Sequence, residues 1–313
     1  EHWIDIKKQK ATAQTHVAAI YEFEHVDSES VAKAISRIGE HVAQHGLDSE
    51  AYAPARDLLL RRPPQPGSGV VRQVSEALDA AAVRIIGDMI EGVLPIQGPP
   101  GAGKTFTGAR MIASLVAAGK KVGVTATSHK VVLHLLEEAA KAAIAQDAKI
   151  RCVHKGNKDL TSPHPDIVID TTNSKGANKK VLDRLGVDAD VIGGTAWLWA
   201  DADARDAVDV LFVDEAAQMS LANVIAVSQA AKTVVLLGDP RQLEQPSKGS
   251  HPDGADASAL DHILGGAKTI GASQGLFLAE TWRLHPKICD FTSELFYEER
   301  LDPRAGLEVQ RVT

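Results

Sequence analysis

The chain has 313 residues, 44% of them hydrophobic and 24% charged, and a formal net charge of −7. That length can bury a large core, the composition is that of an ordinary globular protein, and no apolar run approaches the roughly 18 residues of a membrane helix. The acidic balance excludes a surface that attracts nucleic acid everywhere but allows a strand held in a local groove.

Taken in chain order, the first residues (Glu1-His2-Trp3-Ile4) lack a signal-peptide core and an initiating methionine, so the chain reads as a piece of a longer protein. Val31, Ile35, Ile38 and Val42 recur at helical spacing, and Gly46 sits where that helix would stop. Pro63-Pro64-Gln65-Pro66-Gly67-Ser68-Gly69 reads as a linker, so 1–69 is expected to be a helical N-terminal segment. From residue 70 the texture changes to short apolar runs separated by amphipathic segments. Strands are expected at 93–97, 121–125, 150–154, 190–194, 210–213, 233–237 and 276–279, with helices at 104–118, 130–145 and 221–231. Such alternation predicts an α/β fold, a parallel sheet covered by helices on both faces. Two stretches break the rhythm. Residues 156–188 are polar and loop-rich, with Lys158, Lys175, Lys179, Lys180 and Arg184, and read as an insertion, either solvated or touching nucleic acid; 246–256 reads as a Gly/Pro/Ser loop. The cysteines, Cys152 and Cys289, stand far apart, which excludes a disulfide framework or a cysteine-rich zinc site and fits a reducing, cytoplasmic compartment.

Gly98-Pro99-Pro100-Gly101-Ala102-Gly103-Lys104-Thr105 satisfies GxxxxGK[ST] between an expected strand and an expected helix, the context that gives the pattern meaning. Its glycines let successive amide hydrogens point at one phosphate, and the helix start adds partial positive charge. Lys104 is placed to reach the β- and γ-phosphates and Thr105 to offer its hydroxyl to magnesium. Leu211-Phe212-Val213-Asp214-Glu215 is an apolar strand ending in adjacent carboxylates, read as a Walker B pair: Asp214 holding magnesium, Glu215 orienting and deprotonating the attacking water. A further strand runs into Gly238-Asp239-Pro240-Arg241-Gln242-Leu243, where the Gln242 amide can touch both the γ-phosphate and that water. Polar residues at successive strand ends are what an open parallel sheet presents to a ligand.

GPPGAGKT, VDEAAQ (213–218), GDPRQL (238–243) and TWRLHP (281–286) stand in the order and rough spacing of superfamily 1B helicases, and the stretch from about 78 to 303 resembles the nonsense-mediated-decay helicase type. The resemblance implies a RecA-like P-loop NTPase motor over 70–280 and the start of a second, truncated, motor domain over 281–313. It implies ATP and Mg2+ as ligands, single-stranded DNA or RNA as the track with 5′-to-3′ movement, and weak hydrolysis by the fragment alone. Bacterial members of that group are often joined to a RecB-like nuclease domain, so the resemblance implies such a domain as a candidate partner in the parent chain. Thr127, Ser128 and His129 resemble one strand-gripping segment, with Ser128 also a helix cap; Thr195 and Trp197 resemble a second, Trp197 placed to stack on a base or to pack, while Trp199 is read as packing. Thr281-Trp282-Arg283 matches the family's Gln-Tyr-Arg, making Trp282 an adenine stacker and Arg283 an arginine finger from the second motor domain. The sequence departs from the family upstream of the phosphate loop, where Asp79 falls near the position of a base-reading glutamine, Gln73 being the nearest glutamine. A nucleotide-dependent nucleic-acid-binding switch that does not translocate is the alternative; a small-molecule kinase would need a substrate lid, for which no pattern is present.

Overall fold

The computed structural model describes residues 28–68, 72–242 and 257–309, together with 10, 13 and 14. The 246–256 loop, Gly69 of the linker, Leu243 and the first residues lie outside them.

In chain order the elements are α1 (Glu29–His45), α2 (Ala53–Leu59), α3 (Leu78–Asp88), β1 (Gly92–Gln97), α4 (Lys104–Ala117), β2 (Val122–Thr125), α5 (His129–Ile144), β3 (Cys152–Lys155), β4 (Ile167–Asp170), α6 (Ala177–Leu182), β5 (Val191–Gly193), α7 (Ala196–Trp199), β6 (Val208–Val213), α8 (Leu221–Ser228), β7 (Ala231–Gly238), α9 (Ala259–Leu264), β8 (Leu276–Phe277), β9 (Glu280–Thr281), α10 (Pro286–Phe296) and β10 (Asp302–Pro303). Eight strands form one sheet in the order β4-β3-β5-β2-β6-β7-β1-β8, and every pairing in it is parallel. The fold is α/β, a P-loop NTPase sheet with helices on both faces.

Strand side chains alternate, and here both faces are apolar. Leu94, Ile96, Val210, Phe212, Val235 and Leu237 point to a core built with α3, α4 and α5. Val93, Leu211, Val213, Val234 and Leu236 point the other way, to a core that takes in Ile38 of α1, Leu58 of α2, Val224 of α8 and Leu260 of α9. The flanking segments therefore share the sheet's core. α1 packs on α8, α2 packs on β1 and α8, and Cys289, Tyr297 and Leu301 from beyond residue 281 are buried in the same core. Gly46 ends α1 with φ 78, a left-handed position that glycine takes without the clash a Cβ would bring.

The expected strands all appear with small shifts in their ends; 276–279 shortens to β8, and a separate strand, β9, follows at Glu280–Thr281 and pairs with β10. The 221–231 helix stops at Ser228 because Ala231 already opens β7. The 156–188 stretch is less loop-like than its composition implies: it contains β4, the edge strand of the sheet, and the short α6. The run Ile167-Val168-Ile169 supplies just enough apolar surface, and Val168 points to solvent as an edge position permits.

Candidate nucleotide and nucleic-acid site

β1, β7 and β6 are consecutive in the sheet, and Gln97 of β1 registers with Gly238 of β7. Because all strands run parallel, their C-terminal ends open on one edge, and the phosphate loop, Asp214-Glu215 and Asp239–Gln242 emerge side by side. Gly98 N–H donates to the Gly238 carbonyl at 3.0 Å, which ties the start of the phosphate loop to the end of β7.

Within the loop, Gly101 (φ 74) and Gly103 (φ 82) take left-handed conformations, and α4 begins at Lys104. Lys104 Nζ donates to the Gly98 carbonyl at 2.7 Å, so its ammonium lies folded back across the loop. A cleft of about 360 Å³ is lined by Pro99, Pro100, Gly101, Ala102, Gly103, Lys104, Thr105, Phe106, His134, Glu215, Gln242 and Arg283. The phosphate loop, one acid of the Walker B pair, the amide and the arginine thus share a single concavity.

Asp214 lies behind that cleft and is buried; burial first, and the neighbouring Glu215 second, push its carboxyl up to about 7, with the Glu215 N–H and Lys104 partly opposing. Its Oδ1 accepts from Glu215 N–H at 2.9 Å. Glu215 itself has φ 51, a strained setting for a residue with a Cβ, and it lines the cleft wall. As a carboxylate and a hydroxyl, Asp214 and Thr105 would offer oxygen donors of the kind a hard divalent cation takes, so the residue types present fit magnesium.

Asp239, buried, is a hub that sequence reasoning did not single out. Its carboxylate accepts from Gln242 Nε2 at 2.9 Å, Tyr297 Oη at 2.7 Å, Arg241 N at 3.2 Å and Gln97 Nε2 at 3.4 Å. Burial and this carboxylate push the Tyr297 hydroxyl well above its ordinary range, so it stays a donor. The hub orients Gln242 toward the cleft. A buried acid directly before a polar turn was the only available signal.

A second cleft, about 650 Å³, adjoins the first and shares Gly101, Ala102, Gly103 and Phe106 with it. Asp79, Leu278, Glu280 and Trp282 also line it. Gln73 is exposed and absent from this lining, whereas Asp79 is part of it. Trp282, 58% exposed, has the Arg304 guanidinium over its ring at 3.4 Å from the centroid. Thr281 Oγ1 donates to the Pro100 carbonyl at 2.8 Å and Trp282 N–H to the Gly101 carbonyl at 3.0 Å, so the 281–283 segment is clipped to the phosphate loop.

Thr127, Ser128, Thr195 and Trp197, the residues that the sequence resemblance singles out, follow strands of the same sheet edge. Thr127 and Ser128 are exposed beyond β2, and Ser128 Oγ accepts from Val131 N–H at 3.3 Å as the cap of α5. Thr195, half-buried, and Trp197, 43% exposed, follow the adjacent strand β5. His129 is half-buried, its Nδ1 lying 3.1 Å from Nε2 of the buried His154, and burial lowers the pKa of both, His154 to about 3. Trp199 is packing: it is fully buried, with Nε1 donating to the Val124 carbonyl at 3.1 Å. Among the described residues no helix is long and apolar enough to cross a membrane.

The chain is 31% identical over 105 residues to the probable helicase MAGATAMA 3 of Arabidopsis thaliana, covering 33% of this chain and 12% of that protein. It is 26% identical over 247 residues to the ATP-dependent helicase NAM7 of Saccharomyces cerevisiae, covering 69% of this chain and 25% of that protein. The matches thus span a quarter or less of these relatives' own lengths. Among solved structures, the Arterivirus nonstructural protein 10 helicase with DNA matches at 15% identity and a TM-score of 0.43, over 68% of this chain and 42% of that one. The family model described as AAA domain matches residues 75–261, more than half of the chain and the whole stretch from Ser75 before α3 to Asp261 in α9, and the chain belongs to that family.

Proposed function

We propose that this chain is the first RecA-like motor domain of a nucleoside-triphosphate-hydrolysing helicase, coupling nucleotide turnover to 5′-to-3′ movement along single-stranded nucleic acid. The observation that carries the reading is that one sheet edge holds both a phosphate cleft and exposed polar loops, and the two are joined through the backbone. Asp214 N–H donates to the Thr125 carbonyl at 2.8 Å, so the acid at the end of β6 is bonded to the strand that leads into Thr127 and Ser128. A shift in the metal-side acid is transmitted to the strand grip within two residues. The relatives named as helicases add support.

In the proposed mechanism the triphosphate displaces the Lys104 ammonium from the Gly98 carbonyl and takes it onto the β- and γ-phosphate oxygens. Magnesium held by Thr105 and Asp214 would offset phosphate charge. Glu215 accepts the proton of the attacking water, Gln242 orients that water from the Asp239 hub, and Arg283 offsets charge developing on the γ-phosphate. Loss of the γ-phosphate removes the partners of Gln242 and Arg283 together, which is the event that can change the grip on the strand. The α10 face carrying Ile288, Phe291 and Leu295, all exposed and spaced along one side of the helix, suits the packing of a second motor half begun by 281–313.

Nucleotide turnover with and without single-stranded DNA or RNA, beside a Glu215→Gln variant, tests the reading. Strand-stimulated hydrolysis that disappears in the variant supports the motor; turnover indifferent to any strand would indicate a different P-loop enzyme. Nucleotide-dependent strand binding without turnover would indicate a switch.

A further inference from the structure

The larger cleft beside the phosphate loop has the form of a base site. Ala77, Leu78, Ala102, Phe106, Leu278 and Trp282 supply apolar wall for a flat heterocycle. Its polar chemistry is not that of an adenine site. The polar side chains lining it are Arg72, Asp79, Thr107 and Glu280, with no asparagine or glutamine among them. Adenine presents an amino group next to a bare ring nitrogen, a donor beside an acceptor, which a carboxamide matches with its own acceptor and donor. A carboxylate can only accept, so one of its oxygens would face the adenine lone pair.

Guanine answers this lining better. Its N1–H and N2–H₂ are adjacent donors that meet the two oxygens of one carboxylate, and its O6 and N7 are adjacent acceptors suited to an arginine. Asp79 sits in the first turn of α3, its Oδ2 3.5 Å from Arg110 Nε, and the Arg110 guanidinium lies 5.5 Å from the Phe106 ring centroid. That pair ties the cleft-lining Asp79 to the Phe106 side of the cleft, Phe106 being one of the residues shared with the phosphate site. Arg72 supplies the one cation in the described lining. We propose that Asp79 makes this cleft prefer guanine over adenine nucleotides; the inference rests on the adjoining cleft being the phosphate site.

Calorimetric titration of the 313-residue chain with GDP, ADP and inorganic tripolyphosphate, each with magnesium, tests it. GDP is expected to bind about tenfold more tightly than ADP, and Asp79→Asn to erase or invert that ratio while leaving tripolyphosphate affinity unchanged. Arg110→Gln, which breaks the ion pair but keeps the carboxylate, is expected to retain the guanine preference. Tripolyphosphate binding with ADP equal to or tighter than GDP overturns the base assignment alone, as does a ratio that Asp79→Asn does not move. Absence of binding by all three ligands overturns the phosphate-site reading and the base assignment together.

Discussion

Thr281 is fully buried and its hydroxyl donates to the Pro100 carbonyl at 2.8 Å, while the same oxygen accepts from Arg283 N–H at 3.3 Å and Leu284 N–H at 3.4 Å. One side chain therefore fixes the distance between the phosphate loop and the segment that carries Trp282 and Arg283. Thr281→Val keeps the shape and removes these bonds. It is expected to cost about 1–2 kcal/mol of stability in urea denaturation and to weaken magnesium–nucleotide binding severalfold, because Arg283 is no longer held over the cleft. A variant with unchanged denaturation midpoint and unchanged affinity would show that the clip does not position the segment.

Gly101 and Gly103 separate backbone strain from crowding. Both have positive φ, so an alanine at either costs about 1–2 kcal/mol from conformation alone. A Cβ at Gly101 would also lie 2.4 Å from Arg283 Cβ and 3.2 Å from Arg283 N, whereas at Gly103 the nearest contact is Phe106 Cβ at 4.0 Å. Gly101→Ala should therefore lower the thermal midpoint of the ligand-free protein clearly more than Gly103→Ala. Equal losses would mean that the 281–283 segment moves aside freely.

Two tryptophans only two residues apart should behave oppositely. Trp199 is fully buried, its indole N–H bonded to Val124 O, and its ring covers Gly123, where a Cβ would fall 2.7 Å from Cη2. Trp199→Phe is expected to cost about 2 kcal/mol of stability with little effect on strand affinity beyond that loss of fold. Trp197, 43% exposed, should be replaceable by alanine within about 0.5 kcal/mol of stability. Fluorescence anisotropy with a labelled single strand should show Trp197→Ala losing about 1–3 kcal/mol of binding. A strand affinity indifferent to Trp197 would remove it from the track.

The phosphate loop and the acid pair are legible in the sequence because each is a local feature: a strand, a turn and a helix start contiguous in the chain. The strands β1, β6 and β7 are legible for the same reason, as runs apolar on both faces. What escapes is whatever the fold assembles from distant segments. Asp239 gains its partners Gln97 and Tyr297 from positions 142 and 58 residues away, and no spacing rule connects them. The base cleft joins Asp79 of α3, Phe106 of α4 and Trp282, three separate elements. β4 is hidden by its length: four residues at a sheet edge, inside a polar stretch, carry too little periodicity to register.

The His129–His154 pair gives the fold a pH dependence whose sign follows from burial. His154 is fully buried with its pKa lowered from 6.5 to about 3, first by burial and then by His129, and His154 Nδ1 has no hydrogen-bond partner among the described residues. The unfolded chain takes up a proton near pH 6.5 and the folded chain does not, so protonation favours the unfolded state. Stability from this group is complete above 6.5 and is lost progressively as pH falls from 6.5 toward 3. Between pH 7 and pH 5 the loss is expected to be about 2 kcal/mol. His154→Phe keeps a ring in the same space and removes the titrating group. Urea denaturation at both pH values should show the unmodified chain losing about that much more stability than the variant over the interval. Parallel losses in the two proteins would mean that His154 is protonated in the folded state at pH 5 despite its burial.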